Sequence, residues 1–451
     1  MAFGRRSSRH GARGRRWGSA LALGLILLRG GDARWADPGA AMGEERASWG
    51  RQAQEREIGG ELEVLMEDGF GWARPQYVLR HGLQRFRLHG EASALLSART
   101  GVRVRVRGVR RGADIIVSRA TLEEPPEAQD ARSSEVLIER RVALLLLNFS
   151  DRTVQPYSVE GARQVLATAG EFFRENSYGR LSLVGDVFGW FTLGMSAAIC
   201  DPFRLAEEAH ATVTTSGLDL SGYEHLVYVF PQNACPWWGL ATIGGAPAAA
   251  WINGKLTFDV LAHEFGHGLG LSHSHALECG WVALGTGCQV LEYGDTLDVM
   301  GMAAGHLSAV HKEQLGWLGE EDASLLPVVA DGAFRLAPYQ RVGDGPRALK
   351  ILRSQEAGRA TWYYVEYRAP FGFDRFLSRN LNVPRGVIVR LGGWGEQVGS
   401  FLLDMTPETA SWFDPALIVG RTFVDPQTGL TIFVREVTDG GAVLVITGIA
   451  R

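Results

Sequence analysis

The chain has 451 residues, too many for one ordinary domain and suggestive of about three, and its 46% apolar content excludes a disordered protein. The net charge of −4 hides an asymmetry: residues 1–36 hold eight Arg and one Asp, and the remainder carries 38 basic against 49 acidic residues, a net of −11. A body so charged argues against nucleic acid or an anionic membrane surface as a partner.

At the amino terminus, six Arg and no acid in the first 16 residues precede the apolar run Ser19–Leu28. Ten residues are too few to span a bilayer but suit the core of a signal peptide. Residues 1–36 are therefore expected to be a secretion signal, with Ala36 the last residue removed; the alternative is an uncleaved anchor extended by Trp17 and Gly18. No stable membrane insertion is expected once the signal is gone. Residues 37–56 are polar and without sustained apolar period, as in a leader.

From Gly60 the pattern changes to short alternating runs, Glu61–Leu65, Tyr77–Leu79, Gln84–Leu88, Val102–Val106 and Asp114–Val117. Alternation with glycine-rich breaks predicts half-buried strands in a small β domain. Residues 37–135 thus read as leader plus β domain, either an inhibitory propeptide or a permanent accessory domain. Arg103, Arg105 and Arg107 share one strand face, read as a solvated edge strand rather than a binding patch. Residues 121–134 (TLEEPPEAQDARSS) look like an exposed, cleavable linker.

The run Glu139–Asn148 suits a strand buried on both faces. Helices are predicted over Ser158–Asn176 and Asp201–Thr215, with strands at 181–184, 187–193 and His225–Phe230, so strands and helices alternate. The small, glycine-rich stretch Ala241–Asn253 is either a plain loop or an edge strand bordering a cleft, to which a substrate backbone could add.

A helix is expected from Thr257, its N-cap, to about Gly268. It carries the start of HEFGHGLGLSH (263–273). His263 and His267, at i and i+4, present two imidazoles on one face. Gly268 and Gly270 then let the chain break and turn, so that His273 can come back beneath the same ion. Three histidines suit one catalytic Zn²⁺, because they leave a fourth position for water, and Glu264 is placed beside them to take a proton from it. His275 misses the motif by two residues. His306 and His311 read as helix-surface histidines.

Cys200, Cys235, Cys279 and Cys288 all lie around this motif and fit an oxidising compartment. Of the three possible pairings, Cys200 with Cys235 and Cys279 with Cys288 is favoured, because the second closes a short loop just after His273. Met300 follows 27 residues beyond His273 and is deformable enough to floor the imidazoles; a core methionine is the alternative. A short amphipathic helix is expected over Leu307–Trp317. Short strands then run to the end, predicting a β-sandwich-like module over 321–451, in which Trp362, Tyr363, Tyr364 and Tyr367 fill the interior. Structural calcium stays open, although no EF-hand-type loop is present.

HEFGHGLGLSH followed by DVMGM resembles the metzincin clan of zinc peptidases. Within it, ENSYGRLSLVGDVFGWFTL, EYGDTLDVMG and HKEQLGWL are similar to the gametolysin-type family and its bacterial relatives, over about residues 137–318. The resemblance implies His263, His267 and His273 as zinc ligands, Glu264 as general base and Met300 as the methionine of the Met-turn. It departs in two places. Some metzincins carry a tyrosine two residues after that methionine, where this chain has Met302, and Tyr293 is only a weak substitute. Others hold latency with a prodomain cysteine, but the first cysteine here is Cys200, so no thiolate switch comes from the amino-terminal region.

The expected architecture is α+β. A metzincin-type catalytic domain over 136–320, a mixed twisted sheet plus the zinc helix, is flanked by the small β domain and the C-terminal β module. The expected activity is that of a secreted, monomeric zinc endopeptidase acting on extracellular or cell-wall proteins or glycoproteins. Two other readings are a surface- or wall-binding protein that keeps a degenerate zinc domain as scaffold, and a C-terminal module that targets the enzyme to glycan.

Overall fold

The apolar run after Arg141 becomes a strand buried on both faces because each face has a helix to cover it. A computed structural model describes residues 55–449 apart from 91–94, 96–97, 124–136, 344, 357–358 and 394–398. The expected signal segment, the leader up to residue 54 and most of the linker lie outside the described residues. Strand β6 (Ile138–Phe149) is buried from Val142 onward. Its Val142, Leu144 and Leu146 pack with helix α1 (Val159–Asn176), while Ala143, Leu145 and Leu147 pack on the opposite face with helix α2 (Pro202–Thr215). Successive strand residues point to opposite faces, so one run feeds two cores. Both helices start where their side chains dictate: Ser158 accepts from Gly161 N at 2.9 Å, and Asp201 accepts from Arg204 N at 3.0 Å with Pro202 in the first turn.

Beside β6 run β7 (Leu181–Leu193), β8 (His225–Phe230) and β10 (Ala248–Asn253), all parallel, and β9 (Gly239–Thr242), antiparallel to β10. The stretch 241–253 is thus two strands joined by a turn, and β9 is the last strand of this half. Its outer edge is taken by β1 (Arg56–Gly69), in antiparallel register Leu65↔Thr242 to Asp68↔Gly239. Through β1 the sheet continues into β2 (Trp72–His81), β3 (Gln84–His89), β4 (Arg103–Arg111) and β5 (Asp114–Leu122), giving ten strands in the order β2-β3-β5-β4-β1-β9-β10-β8-β6-β7. Strand β4 is interior rather than an edge. Its arginine face is solvated as expected and paired with acids: Arg105 reaches Glu123 at 2.9 Å and Arg107 reaches Glu55 at 2.8 Å.

A division at 320 does not coincide with a break in structure. After helix α3 (Phe258–Gly268), strands β11 (Ser274–Glu278) and β12 (Gln289–Leu291) join a sheet otherwise built from later residues: β13 (Leu325–Val328), β15 (Ala348–Glu356), β16 (Arg359–Glu366), β17 (Gly386–Gly392) and β18 (Ser400–Leu403). Its order is β12-β11-β18-β17-β16-β15-β13, with β11 parallel to β18 and β19 (Leu417–Ile418) paired to β17. A four-stranded sheet of β14 (Gly332–Leu336), β20 (Thr422–Val424), β21 (Thr431–Thr438) and β22 (Gly441–Thr447) shares a core with it. Tyr363, Tyr364 and Tyr367 are buried as expected, whereas Trp362 is only partly buried.

The predicted helix over 307–317 shortens to α4 (Ala309–Gln314), because Ser308 caps it by accepting from His311 N. His306 and His311 are not surface histidines. Both are fully buried: His306 Nε2 lies 2.7 Å from Glu175, and His311 Nδ1 lies 3.2 Å from Asp298. They belong to a buried polar network between the segment 295–311 and the later strands. Within it Arg390 pairs with Asp295, and Arg368 donates to Leu297 O at 2.8 Å and to Glu366 at 2.8 Å. Among the described residues no helix is long and apolar enough to cross a membrane.

Replacing Arg390 by Met leaves the fully buried Asp295 carboxylate without its ion partner. The expected loss of stability is about 3–5 kcal/mol, read as a lowered urea midpoint; an unchanged midpoint would mean that this pair does not hold the 295–300 loop to β17.

Candidate metal centre

Helix α3 runs over Phe258–Gly268 behind Thr257, which takes the extended N-cap conformation but makes no side-chain capping bond. Val260, Leu261 and Phe265 face the core, so that His263 and His267 fall on the other side. Gly270 (φ +92°) ends the helix in the left-handed region open to glycine and sends the chain back to His273. Gly266 is needed for a different reason: a Cβ there would lie 2.3 Å from Met300 Sδ. The fully buried Met300 therefore packs directly under the helix turn that bears the histidines.

Each imidazole is aimed by a bond on its other nitrogen. His263 Nδ1 donates to Val299 O at 2.8 Å, His267 Nδ1 to Leu271 O at 2.9 Å, and His273 Nδ1 to Glu292 Oε1 at 2.8 Å. These partners turn the three Nε2 atoms toward one point, as acceptors behind metal-binding histidines do. Loop 295–300 serves twice, since Met300 O also accepts from Ser274 N at 2.8 Å and so fixes the chain just beyond His273.

A fourth group completes the cluster, and it comes from the amino-terminal strand. Asp68, the β1 residue opposite Gly239, places Oδ1 2.9 Å from His273 Nε2, and Oδ2 3.4 Å from His267 Nε2 and 3.9 Å from His263 Nε2. One ligand atom from each of the four residues lies within 4.8 Å of the others, and all four residues are buried. Asp68 is held from behind: Trp238 N donates to its carbonyl at 2.8 Å, and Trp238 Nε1 donates to Gly69 O at 3.0 Å. Its carboxylate also accepts from the Tyr293 hydroxyl at 2.6 Å.

His263 Nε2, Asp68 Oδ2 and both Glu264 oxygens are buried without a protein partner. Orphaned polar atoms aimed at one point are costly unless a cation joins them. The group can hold a metal ion, and three imidazoles with one carboxylate are a donor set that suits zinc. Burial pushes His263 down to about 3, which keeps its ring neutral and its lone pair free. Burial also pushes Asp68 upward, but the His273 and His267 charges and hydrogen bonds outweigh it and hold the carboxyl well below its usual range. Glu264 is raised well above the ordinary glutamate value, first by burial and then by the Asp68 charge. Its position depends on Gly239, where a Cβ would fall 1.6 Å from Glu264 Oε1.

All the residues singled out in the motif are therefore brought together. His275 is not among them: it sits in β11, stacks on Phe401 at 5.0 Å and is pushed down to about 4 by burial. Cys200–Cys235 and Cys279–Cys288 are disulfides, as expected, and suit an oxidising compartment. The second spans the turn between β11 and β12. Sequence reasoning missed Asp68, Glu292 and Gly239. Asp68 carries no local signal, because its role depends on a pairing with residues some 170 positions away. A cavity of about 410 Å³ opens beside His263, lined among others by Phe70, Trp237, Val260, Val299 and Met302.

The family model of gametolysin peptidase M11 matches residues 153–347, a span that holds all three histidines, Glu264 and Met300. This stretch is similar to the gametolysin-type metallopeptidases. Among solved structures, a metalloproteinase-II from Bacteroides fragilis is similar at 12% identity with a TM-score of 0.26, over 61% of this chain and 93% of that one. A structure described as a chaperone-substrate complex is similar at 17% identity with a TM-score of 0.22, over 38% of this chain and 26% of that one, so the match spans about a quarter of its length. No curated protein matches the chain.

Substituting His273 by Ala is expected to abolish stoichiometric zinc in the purified protein, whereas His275→Ala retains it. Metal analysis of the two variants checks this, and the reverse pattern would move the third ligand to His275.

Proposed function

We propose that the chain is a secreted zinc endopeptidase of metzincin type, made in a latent form and acting as a monomer on extracellular or cell-wall proteins. The observation that carries this reading is the convergence of three Nε2 atoms on one point beside a buried carboxylate, Glu264, that is not itself within the ligand set. His263, His267 and His273 are the ligands, and Met300 is the floor beneath them. A zinc ion held there supplies a Lewis acid that acidifies water and polarises a peptide carbonyl.

The chain's own residues do the rest. Glu264 accepts the proton of the attacking water; its raised affinity for protons suits a group that must take one and release it. The new C–O bond forms, the C–N bond breaks, and Glu264 returns the proton to the departing amine. Strand β9 offers the backbone of Gly239–Thr242 to an extended substrate, which would add to the sheet edge as β1 does, and the cavity beside His263 receives a neighbouring side chain. A degenerate scaffold would have no use for Glu264, nor for a Gly239 that makes room for it.

A second reading follows from Asp68. Residues 55–123 act as an inhibitory propeptide, because β1 occupies the substrate edge while the Asp68 carboxylate takes the position a water needs. Latency then comes from an aspartate, consistent with the lack of any cysteine before Cys200.

Two outcomes are expected. Glu264→Gln should keep bound zinc and lose about 10²–10⁴-fold in hydrolysis of dye-labelled casein; full activity in that variant would end the peptidase assignment. A chain carrying Asp68→Ala and cut by a site-specific protease within 124–136 should exceed the intact chain by at least about tenfold in the same assay, because the competent state is no longer masked. Equal rates before and after would argue that 55–123 is a permanent accessory domain.

A further inference from the structure

The Asp68 carboxylate lies against the three histidines, and the groups around it are those that would face a substrate once it is withdrawn. One oxygen lies between His273 Nε2 at 2.9 Å and the Tyr293 hydroxyl at 2.6 Å. The other faces His267 and His263. Glu264 stands on the side of Gly239, the residue paired with Asp68 across the sheet. A carboxylate presents two oxygens on one carbon, as does a carbonyl carbon to which water is adding. Resting on the peptidase reading, we propose that Tyr293 is a catalytic residue: with Asp68 withdrawn, its hydroxyl donates to the substrate carbonyl oxygen as that oxygen gains negative charge.

Several features place this phenol deliberately. Tyr293 has φ +54°, a left-handed conformation that costs a bulky residue energy and persists where the surroundings enforce it. The enforcement is visible. Strand β12 ends just before it, paired with β11, and Cys279–Cys288 closes the turn between those strands. Gly294 follows, where a Cβ would lie 2.6 Å from that of Ala276, so the chain is pressed against β11. The preceding residue, Glu292, accepts from His273. One short segment thus orients a histidine with one side chain and aims a hydroxyl with the next, and the Tyr293 ring lies 4.6 Å from that of His273.

The chemistry needs no further reactant. Tyr293 keeps its proton throughout and contributes a hydrogen bond; water supplies the new oxygen, and the proton passes from water through Glu264 to the amine. A phenol is a donor at neutral pH, and a donor aimed at developing charge accelerates the step that forms it without tightening substrate binding.

The alternative is that Tyr293 only holds Asp68 in place, and the two roles are separable. The reference is the full chain carrying Asp68→Ala and cut within 124–136, into which Tyr293→Phe is introduced, with zinc content measured for both. With an internally quenched peptide that the reference cleaves, Tyr293→Phe should lower kcat by about 100-fold with KM changed by less than about threefold. Binding of a phosphinic peptide, whose tetrahedral phosphorus bears the charged oxygen, should weaken by about 100-fold in calorimetry. A reduced-bond peptide, which lacks that oxygen, should bind both proteins equally. Unchanged kcat and phosphinate affinity would overturn the proposal and leave Tyr293 as an anchor for Asp68, whose loss speeds activation of the otherwise native chain. A reference protein that neither cleaves peptides nor binds the phosphinate would overturn the peptidase reading, and this inference with it.

Discussion

Three buried imidazole nitrogens turned toward one point are the constraint around which the molecule is built. Nothing in an apolar core favours such an arrangement, and each ring turns elsewhere unless its second nitrogen is tied. The three ties come from three places. Val299 O precedes the buried methionine, Leu271 O lies in the turn between the second and third histidines, and Glu292 follows a disulfide-closed hairpin. Positioning the cluster therefore requires a helix, a glycine turn and two loops to be rigid at once.

The buried charges behind the site serve that rigidity. Asp295 and Asp298 accept from backbone amides of the loop that carries Met300, and they are paired with Arg390 and His311. Buried ion pairs add little net stability over apolar packing, but breaking one is expensive, so they fix a conformation more than they strengthen a fold. Here they tie the 295–300 loop to β17, and β11, which begins immediately after His273, is hydrogen-bonded to β18. The later β strands are part of the scaffold of the histidine cluster, whatever surface they present outward.

Much of this was legible in the sequence where function and local geometry coincide. The spacing of His263, His267 and His273, the helix bounds near Thr257 and Gly268, and the pairing of the four cysteines all follow from short-range pattern. The strand reading of Glu61–Leu65 held as well, since alternation is local. What escaped depends on long-range pairing. Nothing around Asp68 distinguishes it from the neighbouring acids Glu61, Glu63 and Glu67; only the antiparallel register with Gly239 brings it to the histidines. His306 and His311 look like surface residues by helical spacing, yet later strands cover them. The same holds for the sheets: β1 joins β9 and β11 joins β18, pairs of segments far apart in sequence.

The β1–β9 pairing also orders events during synthesis. A chain made from its amino terminus presents Asp68 before any histidine of the cluster exists, and domains fold as they emerge. The third histidine is fixed only once β18 has been made, near the end of the chain. Asp68 is therefore made before the histidines it faces, so the cluster assembles with that carboxylate already present in the chain.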